Sequence, residues 1–512
     1  MWNNLDGAVL RPIKIFSYEI LFTIFRWSDY VLLAVIFLYL LLLTQSLPLN
    51  FDESYNLQVP LRLLEEQKYD TIYHARSFDG FTTISTGPTV LIPTYLVFKF
   101  LGVGLLRARI VQYFYVIALI GLLWAQFVKH HKRIIGLAVL LILYSMPTQL
   151  QLGLSVLGEL PALFFVFLGI TLWGYGSGKY QKTSILIMGL SVITKLYFAI
   201  ILCPLLALVT IRAVQSKKLI RTFVKEFLTT AFLFLLPLVL WEMSKFLYLG
   251  YSSYADYLAE LVQFIDSQQI NSEILLAPHH LLSVNWDRFT IFSKGVFPGF
   301  PQWFTGALLS GVLVTNTQKI IRGVKDENIL FSLSFLIFAT YFLWFMFMSS
   351  LGWWRYIYPF SILFLFLLGD LINSIVGLFR QPVLRYIIVT FLCIPFVLYV
   401  LPFVINQHTD TQTFSYTLNS QREFANVVKI YREKGYRIGV DGWWQAPEIS
   451  FLSGVAFFQF TCGQEDYKKY MVIYTSLEEA LVPEQASVLR DCLGKKVFES
   501  DDKAFSLYRQ NK

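Results

Sequence analysis

Asp52 and Glu53 stand side by side in Leu49-Asn50-Phe51-Asp52-Glu53-Ser54-Tyr55, directly after a long apolar run. A carboxylate at an apolar boundary sheds hydration and becomes a stronger base, which is what a hydroxyl nucleophile needs to lose its proton. A second reading stands beside this one: Asp ahead of an apolar-periodic run is an N-cap, here for a helix expected at 53–67 and lying along a membrane surface. Glu159, in Gly158-Glu159-Leu160-Pro161, opens another apolar stretch. A carboxylate at membrane depth is costly, so it either serves a site or snorkels into headgroups. Two cations match these acids. Lys195 interrupts an apolar hairpin, and Arg355 sits in Gly352-Trp353-Trp354-Arg355-Tyr356. At that depth Lys and Arg suit a lipid phosphate, or they anchor the chain beside an aromatic belt.

These charges stand out because the chain has so few. Of its 512 residues 56% are hydrophobic, 17% aromatic and only 15% charged, with a mean hydropathy of +0.56. A soluble domain carries about 25% charge, so lipid must solvate much of this surface. Disordered, collagenous, coiled-coil and disulfide-rich secreted classes are excluded. The formal charge of +8 does not indicate nucleic acid, because the basic residues cluster in short loops between apolar runs, the pattern that sets orientation in a membrane. No phosphate-binding loop and no GxGxxG after a strand is present, so nucleotide binding has no support.

Apolar runs long enough to span occur near 30–49, 107–128, 134–150, 159–176, 227–249, 301–318, 329–349, 356–376 and 385–405, and 183–212 reads as two short spans broken at Thr194-Lys195. The expected fold is a polytopic α-helical membrane protein with about eleven crossings (eleven to thirteen), N-terminus inside. Its first outer loop, 50–106, carries interfacial helices, and a second runs over 250–300. Segment 87–106 reads as re-entrant, with Pro88 and Pro93 as breakers. Residues 1–405 form the membrane domain. The remainder, 406–512, is richer in charge and reads as a small α/β domain on the outer side: helix 420–434, strands 436–441, 455–460, 470–475 and 495–499, and a second helix at 483–492. No cleavable signal peptide is expected. Cys203 and Cys393 read as packing residues inside spans, while Cys462 and Cys492 can pair if their compartment is oxidising.

Other constellations are poorer. His279-His280 with Asp287 lack a third spaced ligand, so no metal site is expected. In the same region Trp286, Asp287 and Arg288 are candidates for stacking and hydrogen bonding to a carbohydrate, as are Trp443-Trp444 further on, where half-buried packing is the alternative.

The order of features resembles the GT-C superfamily of membrane glycosyltransferases, above all the bacterial branch of aminoarabinose transferases and relatives of protein O-mannosyltransferases. The matching pieces are Phe51-Asp52-Glu53-Ser54-Tyr55, the Gly87-Pro88 to Gly102 run, Leu106-Arg107-Ala108-Arg109, Gly158-Glu159-Leu160-Pro161, Gly189 to Lys195, and Arg355-Tyr356-Ile357-Tyr358-Pro359. The resemblance implies transfer of a sugar from a polyprenyl-phosphate donor to an acceptor on the outer face, with inversion and without a required metal or other cofactor. It makes Asp52 the base, Glu53 the adjacent candidate and Glu159 a supporting acid. Lys195, Arg355 and Tyr356 would lie at the donor phosphate, and Tyr55, His279, His280, Trp286, Asp287 and Arg288 are possible sugar or acceptor contacts. The expected partners are the lipid-linked donor, a glycan, lipid or protein acceptor and membrane lipids, with the chain a monomer in a bacterial inner membrane and its site on the periplasmic side. Two departures matter: there is no Trp-Trp-Asp-Tyr-Gly signature, and Ser85-Thr86-Gly87-Pro88 replaces the acidic-Lys-Pro-Pro segment of aminoarabinose transferases, so that sugar is not implied. A transporter or lipid flippase would show inverted repeats and mid-membrane charge, and neither is evident. A non-catalytic scaffold leaves the shared face of Asp52, Glu159, Lys195 and Arg355 without a reason.

Overall fold

The computed structural model describes residues 31, 33–34, 37–38, 40–42, 44–45, 47–71, 77–78, 81–82, 86–129, 133–144, 153–175, 179–267, 278–297, 300–324, 329–347, 354–378, 417–440, 447–460, 470–475 and 493–509. Two compact units, Met1–Ser46 and Leu47–Lys512, make up the chain. In the first, the described positions between 31 and 45 are helical, and the Thr44 hydroxyl donates back to the Leu40 carbonyl at 2.7 Å.

The second unit opens with α1 (Phe51–Glu65). Its cap is Asn50, in extended conformation, whose side-chain oxygen accepts from the Glu53 N–H at 2.7 Å. The N-cap expected at Asp52 is thereby corrected. Asn50 reaches the third helical N–H, which leaves Asp52 inside the first turn rather than in front of it. A short ribbon, β1 (Ser77–Phe78) with β2 (Phe81–Thr82), leads to α2 (Pro88–Leu101), which Pro88 starts and Gly102 ends. Fourteen residues rise only ~21 Å, less than the ~30 Å hydrocarbon core.

The apolar framework follows: α3 (Leu105–Lys129), α4 (Arg133–Tyr144), α5 (Glu159–Tyr175), α6 (Gln181–Thr194), a 3-10 turn (Leu196–Ile201), α7 (Leu202–Gln215), α8 (Ile220–Ser267), α9 (Pro278–Val296), α10 (Gln302–Ile321), α11 (Ile329–Phe347) and α12 (Trp354–Gly377). Among the described residues five helices are long and apolar enough to cross a membrane: Leu105–Lys129, Leu196–Gln215, Ile220–Ala259, Ile329–Phe347 and Tyr358–Gly377, with shorter apolar helices at Pro88–Leu101 and Glu159–Tyr175. The chain is a multi-pass helical membrane protein. The expected span at 385–405 lies outside the described residues.

The expected outer loop 250–300 contains helices. Helix α8 continues past a kink at Gly250, whose φ of +74° only glycine adopts cheaply, and α9 follows it. Charge at Asp256, Asp287 and Arg288 gave this stretch a loop-like composition, yet Arg288, Phe292 and Val296 are buried at helical spacing. Cys203, expected as a packing residue, is exposed on α7.

The C-terminal part is a five-stranded sheet of order β4-β3-β5-β7-β6, from β3 (Arg437–Val440), β4 (Phe458–Gln459), β5 (Tyr470–Thr475), β6 (Lys495–Glu499) and β7 (Phe505–Arg509), with α13 (Leu418–Glu433) and α14 (Pro447–Ser453). β3 runs parallel to β4 and β5, whereas β7 is antiparallel to both β5 and β6. Its core joins Phe424 and Val428 of α13 to Ile438, Val440, Met471, Ile473, Phe505 and Leu507 of the sheet. Strand β7 was not anticipated, because a central strand buried along Phe505-Ser506-Leu507 lacks the alternation that marks half-buried strands. The expected helix at 483–492, Cys462 with Cys492, Cys393 and Trp443-Trp444 lie outside the described residues.

A titratable group is sealed into this part. Glu448 in α14 is buried, and loss of hydration pushes its carboxyl up to about 7 against its own backbone hydrogen bond. A raised folded pKa means the native state holds a proton that the unfolded chain releases above about 4.5. Stability therefore falls as pH rises from there through about 7, by on the order of 3 kcal/mol at most. Thermal unfolding of the wild type against Glu448→Gln across pH 5–8 checks this: the wild type should lose stability with rising pH and the variant should be flatter. Parallel curves refute it.

Candidate active site

Four chain segments meet at the head of α1: the lead-in 47–50, the turn before α5 at 153–158, the approach to α2 at 86–87, and the break between α6 and the 3-10 turn. The acids of α1 take different positions there. Glu53 is buried to 0% exposure and forms a two-point ion pair with the equally buried Arg109 of α3, Nε to Oε1 at 2.7 Å and Nη2 to Oε2 at 2.6 Å. Its Oε1 also accepts from the Val156 N–H at 3.3 Å. Arg109 spends its other donors on the carbonyls of Leu47 at 2.8 Å and Pro48 at 3.0 Å. Asp52, one residue earlier, is only half-buried, and Tyr55 stacks on Phe51 with ring centroids 6.2 Å apart.

One turn beyond Asp52, Asn56 ties the segments together. Its amide donates to Thr86 Oγ1 at 3.0 Å and to the Val156 carbonyl at 2.7 Å. Thr86 in turn donates to the Leu157 carbonyl at 2.9 Å. Lys195 Nζ, also buried, donates to that same carbonyl at 2.9 Å, reaches Thr86 Oγ1 at 3.5 Å and lies 3.0 Å from Glu159 Oε1. Glu159 Oε2 has no hydrogen-bond partner among the described residues. Lys195 reaches this node because α6 stops at Thr194: Lys195 turns extended, pairs with Thr86 as an antiparallel bridge, and leaves the Thr194 carbonyl to accept from the Gly87 N–H at 2.9 Å. The backbones touch so closely that a Cβ on Gly87 would fall 1.6 Å from the Ile193 carbonyl oxygen. Glycine is required at this crossing.

The same break starts the 3-10 turn that carries Tyr197. Its ring stacks on Trp344 of α11 at 6.0 Å and meets Tyr356 of α12 edge-on at 5.4 Å, while Trp344 and Tyr356 are 5.8 Å apart. Tyr356 therefore belongs to an aromatic wall that begins two residues after Lys195. Arg355 occupies the first turn of α12 beside it.

The remaining candidates separate from this node. His279 and His280 lie in the first turn of α9, Trp286 is 59% exposed and Asp287 is exposed. Arg288 is buried and donates to the carbonyls of Phe345 at 3.1 Å and Met346 at 2.8 Å, at the C-terminal end of α11 where a cation complements the helix dipole. Among the described residues no three metal-ligating side chains gather.

Sequence reasoning missed Arg109, Asn56 and Thr86. Arg109 was discoverable, since an arginine inside an apolar helix needs a buried partner and Glu53 is an acid of matching cost. Asn56 and Thr86 carry no such signal; a small polar side chain reads the same in a loop as in a node.

Comparison with known proteins gives the fold. No family model matches the sequence, and no curated protein matches it. Solved structures do match. ArnT from Cupriavidus metallidurans bound to undecaprenyl phosphate superposes with a TM-score of 0.59 over 94% of this chain and 97% of that one, at 11% identity. Apo ArnT gives 0.53 at 10% identity over 94% and 98%. The archaeal oligosaccharyltransferase AglB from Archaeoglobus fulgidus, in complex with an inhibitory peptide and a dolichol-phosphate, gives 0.51 at 10% identity over 95% and 75%. The chain has the GT-C fold of membrane glycosyltransferases.

Proposed function

We propose that this chain is an integral membrane glycosyltransferase, moving a sugar from a polyprenyl-phosphate donor to a hydroxyl acceptor on the outer face of a bacterial inner membrane, with inversion at the anomeric carbon. The observation that carries the reading is the division among the acids. Glu53 of α1 and Glu159 of α5 are buried beside Arg109 and Lys195, whereas Asp52, in the first turn of α1, is half-buried. That is the arrangement a general base requires: a carboxylate within reach of substrate, on an element whose neighbours are fixed.

In this reading Asp52 takes the acceptor hydroxyl proton as the oxygen bonds to the anomeric carbon. The bond from that carbon to phosphate oxygen breaks, and polyprenyl phosphate leaves. Glu159, buried against Lys195, is a supporting acid behind the base. Lys195 holds Glu159 in place, and Arg355 and Tyr356 are assigned to the leaving phosphate, where fixed positive charge lowers the barrier. The undecaprenyl phosphate in the ArnT structure and the dolichol-phosphate in the AglB structure support a lipid-phosphate donor for this fold.

Incubation of the purified protein with a panel of undecaprenyl-phosphate sugars, each with glycan, lipid and peptide acceptors, tests this. Acceptor-dependent release of undecaprenyl phosphate from at least one donor is expected. A protein that binds undecaprenyl phosphate and turns over none of them would count against a transferase.

A further inference from the structure

We propose that Gln421, far along the chain on α13, is a positioning residue for Asp52. Its carboxamide brackets the main chain of Leu49: the Leu49 N–H donates to Gln421 Oε1 at 2.9 Å, and Gln421 Nε2 donates to the Leu49 carbonyl at 2.8 Å. Both residues are at 0% exposure. A side chain that satisfies both backbone groups of one residue does what a neighbouring β-strand does, and fixes that residue's height and rotation. Leu49 lies three positions before Asp52 and immediately before the capping Asn50.

The bracket completes a strap held from two directions. Arg109 takes the Leu47 and Pro48 carbonyls, and Gln421 takes the next, so three successive carbonyls are tied before α1 begins. Apolar contacts close the same junction: Leu418 and Phe451 of the C-terminal part pack with Leu49 and Leu57 around α1, and Phe451 also meets Phe98 of α2 at 6.3 Å. A free hinge at Leu49 would let the first turn of α1 swing, and a misplacement of ~1 Å costs on the order of 100-fold in rate. The C-terminal part is thus a piece of the site's framework and not a detachable module. This inference rests on the assignment of Asp52 as base.

The test uses full-length protein in detergent. Gln421→Glu keeps the size and the acceptor for the Leu49 N–H but sets a carboxylate oxygen against the Leu49 carbonyl. Leu507→Ala loosens the core of the C-terminal sheet without touching this junction. Gln421→Glu should speed amide exchange over residues 49–53 at least tenfold and lower kcat at least tenfold, with undecaprenyl phosphate affinity within twofold of wild type. Leu507→Ala should lower the thermal midpoint at least as much as Gln421→Glu does and leave kcat within threefold. Unchanged exchange at 49–53 in Gln421→Glu overturns the bracket whatever the activity. Faster exchange with unchanged kcat, or loss of kcat in both variants in step with stability, overturns the positioning role. If the wild type turns over no donor, the transferase reading fails and the catalytic role of Gln421 fails with it, while the exchange result still decides the bracket.

Discussion

Asp52→Asn should abolish measurable transfer while the protein remains folded, membrane-inserted and able to bind undecaprenyl phosphate. Asparagine has the shape of aspartate and cannot accept the hydroxyl proton, and loss of a general base costs ~10²–10⁴ in rate. Little stability should go with it. The cap belongs to Asn50 and the ion pair beside it is Glu53 with Arg109, so the change removes neither and costs chiefly a first-turn negative charge at the helix N-terminus, ~0.3–1 kcal/mol. The measurement is single-turnover release of undecaprenyl phosphate alongside thermal unfolding. An active Asp52→Asn protein would remove the assigned role, and an unfolded one would make Asp52 structural.

The opposite pattern is expected one residue later. Glu53→Gln or Arg109→Gln alone leaves an uncompensated charge with no access to water, a change that costs ~3–5 kcal/mol. Arg109→Gln also releases the Leu47 and Pro48 carbonyls. The double variant Glu53→Gln with Arg109→Gln should recover part of the loss, because removing both partners of a buried pair is far less costly than removing one. Thermal midpoints of the four proteins form the cycle. Additive losses, or single losses under ~1 kcal/mol, would show that the pair does not hold α1 to α3. Activity per folded protein should be least affected in Glu53→Gln, because only the loss of Arg109 also frees the Leu47 and Pro48 carbonyls ahead of Asp52.

The contrast shows what was legible in advance. Apolar run lengths place most membrane helices, and the break at Thr194-Lys195 is visible as a cation between two short runs. The strands at 470–475 and 495–499 coincide with their expected ranges. Local pattern suffices where local physics decides. It fails where a residue's role depends on a distant partner. Glu53 and Asp52 are indistinguishable as adjacent acids until Arg109, 56 positions away, selects one of them. Lys195 reads as a phosphate cation, and its partner Glu159, 3.0 Å away, is not visible in the local pattern. Composition likewise does not show that Arg288, within 250–300, is buried against the end of another helix.

The separation between Leu49 and Gln421, 372 residues, also bears on biosynthesis. At ~5–20 residues per second the ribosome needs roughly 20–75 s after making one to make the other. For that interval the head of α1 has Arg109 but not its second tether. A chain halted in the membrane region after Arg109 lacks the Gln421 bracket, so its lead-in to α1 is held from one side only.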